Sequence, residues 1–289
     1  MTRTEHKSIL KQRTSLPLQP TLLTIAGSDP SGGAGIQADI KTATSLGVYC
    51  AAAITSVTVQ NSRGVSRIVP LDPDLVASQI KAVLADHMVT HVKIGMTGNA
   101  AILQVLQETL DGFSGEIVYD PVLAATTGES LVQGDALQQL RNGFLPCISV
   151  LTPNVSELEI LSKHRIRSVD DALNSAGIIL KQYPNMQAVI VKGGHLDKGK
   201  ETITDYLLQK SSSCRSVRQR LLNPHTHGTG CTFSSALASF LCRGSQLEDA
   251  FSMAGNYMDT LIRAGMGKSV TVSNENGPML HYINRGTRS

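Results

Sequence analysis

The stretch that organises this chain reads Asn223-Pro-His-Thr-His-Gly-Thr-Gly-Cys-Thr-Phe-Ser-Ser-Ala-Leu-Ala-Ser-Phe-Leu-Cys-Arg-Gly244. The segment from Val217 to Leu222, which is apolar at both ends, precedes it and predicts a strand. Apolar side chains then recur at the spacing of a helix that begins at Cys231 or Thr232 and stops at Gly244. A strand, a glycine turn and a helix in this order are typical of a parallel α/β sheet.

The glycine turn has the composition of a phosphate-binding site. Gly228 and Gly230 stand on either side of Thr229 and let the backbone N–H groups turn toward one point. We call the N–H groups of residues 228–231 the phosphate cradle, because free N–H groups and the helix dipole attract anions. Cys231 stands at the helix entrance, where a thiolate is favoured over the usual thiol pKa of about 8.5. The alternative is a tight turn followed by a small buried cysteine.

Composition restricts the class of protein. The chain has 289 residues, which is enough for one large α/β domain or two small ones, and its 41% hydrophobic residues support a sizeable core. A net charge of +3 gives little support for nucleic-acid binding. Five cysteines without a Cys-x-x-Cys spacing favour a reducing cytoplasm over a disulfide framework. No apolar run is long enough to predict a membrane span.

Strand and helix patterns alternate along the chain, which predicts an α/β fold with a mostly parallel central sheet and helices on both faces. We expect residues 1–20 to form a disordered extension and residues 21–289 to form one domain. The predicted strands are 21–26, 51–59, 91–94, 116–119, 149–151, 187–191, and a hairpin of 202–208 with 216–222. The predicted helices are 36–46, 74–86, 100–110, 135–142, 155–163, 169–182, 231–242 and 246–264.

Chemically distinctive residues follow these predicted strands. In open α/β sheets, ligands collect outside the carboxyl ends of the strands. The residues at predicted strand exits are Gly27, Gln60, Met96, Asp120, Asn154, Lys192 and the loop 226–231. The sequence therefore predicts one ligand site at this edge of the sheet.

Phosphoryl transfer needs groups that neutralise charge, groups that hold Mg²⁺ and a base for the alcohol proton. Cys231 is the candidate base, and Lys192 can supply a point charge to nucleotide phosphates. Asp120 and Glu157 offer the hard oxygen ligands that suit Mg²⁺. Asn154 precedes Glu157 by three residues at a helix start, where it either contacts the ligand or caps the helix.

Gln60 and Asp39 have two interpretations each. A primary amide can pair with an amino group beside a ring nitrogen, as on a 4-aminopyrimidine, by the complementarity with which Asn and Gln read adenine. Alternatively, Gln60 is a solvent-exposed turn residue. Asp39 lies on the helix after the first glycine loop, away from its most apolar face, which favours a solvated carboxylate.

These residues resemble the hydroxymethylpyrimidine and hydroxymethylpyrimidine-phosphate kinases of thiamine synthesis, which belong to the ribokinase-like superfamily. The resemblance covers about residues 21–285. The matching segments are Thr24–Thr42, Leu46-Gly-Val-Tyr49, Gln60-Asn61, Lys93-Ile-Gly-Met96, Asp120-Pro-Val122, Thr152-Pro-Asn154, Val191-Lys-Gly-Gly-His195 and Thr226-His-Gly-Thr-Gly-Cys231.

The resemblance implies a ribokinase-like fold, a homodimer, and Mg²⁺- and ATP-dependent phosphorylation of 4-amino-5-hydroxymethyl-2-methylpyrimidine to its monophosphate and diphosphate. It assigns the aminopyrimidine contact to Gln60 and the catalytic base to Cys231. The other residues that it implies are Gly27, Met96 and Val122 in the pocket walls, Asp39 as a polar substrate contact, Lys192, Asn154 and Thr226 at the nucleotide phosphates, and Asn154 with Glu157 in the motif associated with Mg²⁺.

The chain departs from the family pattern at residues 265–277, where a Gly/His-rich segment is usual. Two other functions fit parts of the pattern. A pyridoxine or pyridoxal kinase shares the fold and phosphorylates a similar ring, but Gln60 and Cys231 favour the pyrimidine. A catalytically silent sensor would have no need of Lys192, Glu157 and Cys231.

Overall fold

The computed structural model describes residues 19, 21–61, 63–123, 134–196, 199–221, 227–266 and 277–281. The predicted extension (1–20, apart from residue 19), Thr226, and most of the departing segment 265–277 lie outside these residues.

One sheet of nine strands runs through the protein in the order β3-β2-β1-β4-β5-β6-β7-β8-β9. The strands are β1 (Thr21–Ser28), β2 (Tyr49–Asn61), β3 (Gly64–Pro70), β4 (His91–Ile94), β5 (Glu116–Tyr119), β6 (Val150–Leu151), β7 (Ala188–Val191), β8 (Thr202–Gln209) and β9 (Ser213–Gln219). The six central strands, β2-β1-β4-β5-β6-β7 in sheet order, are parallel to one another. The edge strands β3, β8 and β9 are antiparallel to their neighbours. The predicted mostly parallel sheet is confirmed.

Helices cover both faces of the sheet. They are α1 (Gly35–Ser45), α2 (Pro73–Asp86), α3 (Ala100–Thr109), α4 (Asp135–Gln139), α5 (Val155–Ser162), α6 (Val169–Gln182), α7 (Thr229–Cys242) and α8 (Leu247–Gly265). Side chains of α2 to α6 share one buried apolar cluster, and those of α1, α7 and α8 share the other. Neighbouring residues of a strand, such as Leu22 and Leu23, contribute to opposite clusters because strand side chains alternate between faces.

The edges of the sheet depart most from the sequence-based expectation. The hairpin of β8 and β9 forms, but β9 begins at Ser213, three residues before the predicted 216. The strand β3 was not predicted, because most of its side chains are exposed or half-buried and it has no regular apolar alternation. The predicted helix 135–142 is α-helical only to Gln139 and continues as a π-helical turn, Leu140–Phe144.

Within the part of the chain that the structure describes, none of the helices combines the length and apolarity needed to cross a membrane.

Candidate active site

A cavity of about 360 Å³ opens where the parallel strands end, between their exits and the beginning of α7. Twelve of the residues predicted from the sequence line it: Gly27, Gln60, Met96, Asp120, Val122, Asn154, Glu157, Lys192, Gly228, Thr229, Gly230 and Cys231. Parallel strands bring residues far apart in sequence to one edge, which explains why the strand-exit pattern locates the cavity.

The phosphate cradle forms the floor of this cavity at the beginning of α7. Gly228 is the N-cap residue with φ of +86°, and a Cβ on it would lie 1.8 Å from the carbonyl oxygen of Gly33, so only glycine fits. The helix begins at Thr229, two residues before the predicted Cys231. Cys231 therefore lies inside the first turn, where backbone N–H groups have no partner within the helix.

A second glycine loop, residues 31–35, packs against the cradle and is shaped by Asp29. The Asp29 carboxylate accepts the backbone N–H groups of Ser31 at 2.8 Å, Gly33 at 3.1 Å and Ala34 at 2.8 Å. Burial alone would raise the pKa of Asp29, but hydrogen bonds from His227, Ser31 and Ala34 outweigh it and lower the pKa to about 2. Asp29 is therefore a carboxylate at neutral pH.

Cys231 is half-buried against the cavity, and the expectation of a favoured thiolate is wrong for the protein without ligands. Burial raises the pKa of Cys231 to about 11, and the carboxylates of Asp39 and Asp120 add to the rise. The Lys93 ammonium and the Gly35 N–H group favour the thiolate but do not outweigh burial. The cost of removing a charge from water thus exceeds the attraction of the helix entrance.

Charged side chains meet on the opposite wall, after β5 and β7. Lys192 Nζ donates to Asp120 Oδ1 at 2.6 Å and lies 3.9 Å from Glu157 Oε2. Burial alone would raise the pKa of Asp120, but the ammonium groups of Lys192 and Lys93 hold this pKa below its ordinary value. Burial raises the pKa of Glu157 to about 7, although the Lys192 ammonium opposes the rise. This wall therefore carries a charged Lys192–Asp120 pair and the Glu157 carboxyl, whose pKa lies near neutrality.

Asn154 and Glu157 form a capping box at the beginning of α5. Asn154 Oδ1 accepts the N–H of Glu157 at 2.9 Å, and Glu157 Oε2 accepts the N–H of Asn154 at 2.7 Å. The cap interpretation of Asn154 is confirmed. Both residues also line the cavity, where a ligand could reach them. Their contacts with a ligand stay a prediction.

Another wall of the cavity is formed by residues of β1, β2 and β3, together with Met96. Gln60 faces the cavity from β2, and Met96 approaches Gly27 so closely that a Cβ on Gly27 would lie 2.3 Å from Met96 Cε. Val65 and Ile68 complete this wall from β3, the strand that the sequence did not predict. An amide among apolar side chains is suited to a flat heteroaromatic ring with one polar edge.

Asp39 contradicts both expectations for it, because it is fully buried and does not line the cavity. Its carboxylate accepts two hydrogen bonds from Lys93 Nζ, at 2.8 and 2.9 Å, and one each from Thr24 Oγ1 and Ser235 Oγ at 2.6 Å. The helix α1 turns this residue inward against β1 and β4, so it is neither solvated nor placed to touch a ligand.

The sequence profile of the phosphomethylpyrimidine kinase family matches residues 29–280. The chain belongs to this family. Its relatives include a hydroxymethylpyrimidine/phosphomethylpyrimidine kinase of Rhizobium meliloti, 38% identical over 90% of this chain and 96% of the relative.

Solved structures of this family and of a neighbouring one share the fold. The phosphomethylpyrimidine kinase of Clostridium difficile superimposes with a TM-score of 0.73 at 34% identity, covering 83% of this chain and 98% of that chain. The pyridoxal kinase of Staphylococcus aureus in complex with ADP superimposes with a TM-score of 0.81 at 28% identity, covering 92% of this chain and 94% of that chain. The ribokinase-like fold is confirmed, and the fold alone does not choose between the two ring substrates.

The residues that line the cavity and had no role assigned from the sequence include Asp29, Val65, Ile68 and His227. Asp29 could have been identified as an Asx-type turn residue, because glycines follow it within a few positions. His227 stands inside the quoted Thr226–Cys231 motif, but a histidine beside a glycine turn has no distinctive spacing of its own. Val65 and Ile68 depend on the pairing of β3 with β2.

Proposed function

We propose that this protein transfers the γ-phosphoryl group of ATP to the hydroxymethyl group of 4-amino-5-hydroxymethyl-2-methylpyrimidine, and then to the resulting monophosphate, in thiamine biosynthesis. The observation that carries this proposal is the meeting of Gln60, the phosphate cradle and Lys192 in one cavity. The amide suits an aminopyrimidine edge, and the cradle and the ammonium suit phosphate oxygens. Membership of the phosphomethylpyrimidine kinase family supports the same reaction.

The cradle and Lys192 serve the transferred group in this proposal. Phosphoryl transfer is mostly positioning and charge stabilisation, and fixed N–H donors stabilise charge without reorganising. Lys192 is held by Asp120 at one oxygen, which leaves the remaining hydrogens of its ammonium for nucleotide phosphates. Asn154 and Thr226 are proposed as further phosphate contacts.

Cys231 is proposed as the base that accepts the alcohol proton. A thiol with a pKa of about 11 is protonated at neutral pH, so it must lose its proton before it can act in this role. The Lys93 ammonium and the Gly35 N–H group favour that loss.

Two carboxylates fit the proposed use of Mg²⁺. Among the described residues, no group of three or more His, Cys, Asp and Glu side chains is arranged to hold a metal ion. Nucleotide-bound Mg²⁺ is usually held by one or two carboxylates together with phosphates and water. Asp120 and Glu157 provide this donor set beside Lys192, and Mg²⁺ would supply charge neutralisation on the phosphates.

A pyridoxal kinase is the second candidate, favoured by the close structural match to the Staphylococcus aureus enzyme. A pyridine that carries hydroxyl groups lacks the amino group beside a ring nitrogen that Gln60 can pair with. We therefore place pyridoxal second.

The deciding experiment is a product assay with Mg-ATP and each ring substrate, side by side. We expect the pyrimidine alcohol to give mono- and diphosphate, resolved by ion-exchange chromatography. Gln60→Leu should raise KM for the pyrimidine about tenfold, because one hydrogen-bonded pair is lost, and leave KM for ATP unchanged. Gln104→Leu, at an exposed position on α3, is the matched control. Product from pyridoxal alone would overturn the substrate assignment.

A homodimer is proposed from an apolar strip on the edge hairpin of β2 and β3. Val57, Val59 and Val69 are 47%, 55% and 41% exposed, and Val57 pairs with Val69 across the two strands. An exposed apolar strip on an edge is typical of an interface. Val59→Lys should shift the mass measured by light scattering toward the monomer. Val217→Lys, 55% exposed on β9 at the other edge, should leave the mass unchanged.

We also propose that the enzyme works in the cytoplasm, supported by its five free cysteines. Residues 21–289 are proposed to be one domain, supported by the single sheet that joins β1 to β9.

A further inference from the structure

We propose that His227, held by Asp29, is a positioning residue that sets the orientation of the Gln60 amide and so turns the substrate's hydroxymethyl group toward the phosphate cradle. The inference rests on the proposed function, because it concerns how the same cavity selects and orients an aminopyrimidine. With its amide fixed in this way, Gln60 accepts only one orientation of the ring.

The first step is the proton on His227. His227 is 8% exposed, and its Nε2 lies 3.1 Å from Asp29 Oδ2. The Asp29 carboxylate also receives hydrogens from Ser31, Gly33 and Ala34, so it acts as an acceptor only. Two acceptors do not face each other at this distance, and His227 Nε2 therefore carries a hydrogen and donates it to Asp29.

The second step concerns the atom of Gln60 that faces this hydrogen. The Gln60 amide lies 3.1 Å from the same Nε2, with its nitrogen on that side. An NH₂ group that faces an N–H finds no acceptor there, so the amide turns by 180° and presents Oε1 instead. Gln60 Oε1 and Asp29 Oδ2, each 3.1 Å from Nε2, then share its single hydrogen in a bifurcated hydrogen bond. The hydrogen bonds of the Thr58 hydroxyl are consistent with this orientation of the amide. Its hydroxyl donates to the Ser28 carbonyl at 2.9 Å, which leaves its oxygen, 3.3 Å from the amide, to accept the Gln60 NH₂ group.

The third step is the consequence for the ring. With the amide held in this way, Gln60 offers an acceptor on the His227 side and a donor on the Thr58 side. A 4-aminopyrimidine then places its amino group toward His227 and its ring nitrogen toward Thr58. The amino and hydroxymethyl groups stand on neighbouring ring carbons, so the alcohol lies on the same side as His227. Because His227 directly precedes Gly228, that side is the phosphate cradle.

The surroundings of His227 keep it in place. Its backbone N–H donates to the Gly277 carbonyl at 3.3 Å, and it forms a β-bridge with Pro278. A Cβ on Gly33 would lie 2.5 Å from His227 Cδ2 and 2.8 Å from Pro278 Cβ. The imidazole is thus confined between the first glycine loop and residues 277–278, as a positioning residue must be.

The test compares binding of the pyrimidine alcohol with binding of its 4-oxo analogue, whose edge has the reversed donor and acceptor pattern. We expect the intact protein to prefer the amino compound. His227→Leu frees the amide to turn, so the Kd for the amino compound should rise about tenfold and the preference should fall by a similar factor. His227→Gln keeps an N–H at a similar reach and should retain most of the preference. The Kd for ATP serves as the control and should not change.

A double-mutant comparison separates positioning from a general structural role. In a Gln60→Leu background, His227→Leu should have no further effect on the preference, because its effect passes through Gln60. An equal fall in both backgrounds would overturn the inference. If His227→Leu does not fold, Thr58→Val replaces it, with Thr58→Ser as the control that keeps the hydroxyl. Loss of the preference in Thr58→Val alone supports the inference, and an unchanged preference overturns it.

A measurement independent of activity tests the proton itself. Long-range ¹H–¹⁵N spectra of histidine-labelled protein, assigned with His227→Gln, should show Nε2 of His227 protonated at pH 8. An unprotonated Nε2 would overturn the inference whatever the kinetics show. A different result would contradict the proposed function: the intact protein would form no product from the pyrimidine alcohol with Mg-ATP.

Discussion

Two lysine–aspartate pairs lie near the beginning of α7, and the cavity reaches only one of them. Lys93 and Asp39 are both fully buried, with two Nζ–oxygen distances of 2.8 and 2.9 Å. Lys192 and Asp120 are joined at 2.6 Å, and the Lys192 side chain is 18% exposed on the cavity wall. The protein thus contains one lysine–aspartate ion pair that is sealed in the interior and one that borders the cavity.

The difference teaches that backbone position decides which pair can meet a ligand. Lys93 and Asp39 lie within β4 and α1, so the layers of the fold close over them. Lys192 and Asp120 directly follow β7 and β5, at the edge where α/β sheets collect ligands. The first pair therefore serves the integrity of the fold, and only the second is placed to take the proposed role at nucleotide phosphates.

The largest effect is expected when the interior pair is broken. Lys93→Met leaves the Asp39 charge buried without its partner, and the free energy of unfolding should fall by about 3–5 kcal/mol. Urea unfolding measures this change. Lys192→Met is the matched control and should cost clearly less, because water and the open cavity reach that position. An equal loss in the two variants would contradict the distinction between the pairs.

The next effect concerns activity at the exposed pair. Lys192→Met removes a preorganised positive group from the proposed phosphate site, and kcat should fall about 10²- to 10³-fold, as for other donors to developing charge. Steady-state assays with Mg-ATP measure it, and a thermal melt checks folding. Lys181→Met, at an exposed position on α6, should leave kcat unchanged. A wild-type rate in Lys192→Met would remove this lysine from the reaction.

Charges of both pairs act on the Cys231 thiol, since Lys93 lowers its pKa and Asp39 and Asp120 raise it. Its raised pKa of about 11 means that it stays neutral until the pH approaches that value. Alkylation by iodoacetamide, followed by peptide mass spectrometry, should therefore accelerate up to about pH 11 rather than level off near 8.5 as for an ordinary thiol. Cys231→Ala should lower kcat about 10²-fold if the thiol is the base. A plateau below pH 8 would restore the thiolate expectation, and an unchanged kcat would exclude the base role.

The smallest effect is a partial rescue of the interior pair. Adding Asp39→Asn to Lys93→Met removes the uncompensated charge and keeps one side-chain oxygen, so one of the two hydroxyls that donate to Asp39, those of Thr24 and Ser235, retains its acceptor. The double variant should be about 1–2 kcal/mol more stable than Lys93→Met alone, since most of the loss comes from the unpaired charge. Urea unfolding of both variants makes the comparison. A double variant less stable than the single one would show that the hydrogen bonds of Asp39 matter more than its charge.

The candidate site could be predicted from the sequence where a charged or polar residue directly follows a strand. Asp120, Asn154 and Lys192 each follow a short apolar run, and parallel strands end together, so their meeting follows from local patterns. Asp39 was misplaced because the inward face of α1 depends on β1, β4 and α7, which lie far away in the sequence. The environment of Cys231 was misjudged for a related reason, since burial is a property of all the surrounding elements.

The sequence by itself determined the order of the helices and of the strands apart from β3, the glycines at the beginning of α7 and the residue types proposed to contact phosphate and aminopyrimidine. These depend on local periodicity, on glycine's backbone freedom and on the alignment of parallel strand ends. Only the tertiary structure decided that Asp39 is sealed with Lys93, that Cys231 holds its proton and that Asp29 reaches Gln60 through His227. Desolvation and hydrogen bonding between distant segments control those features, and neither is encoded in any single stretch of the chain.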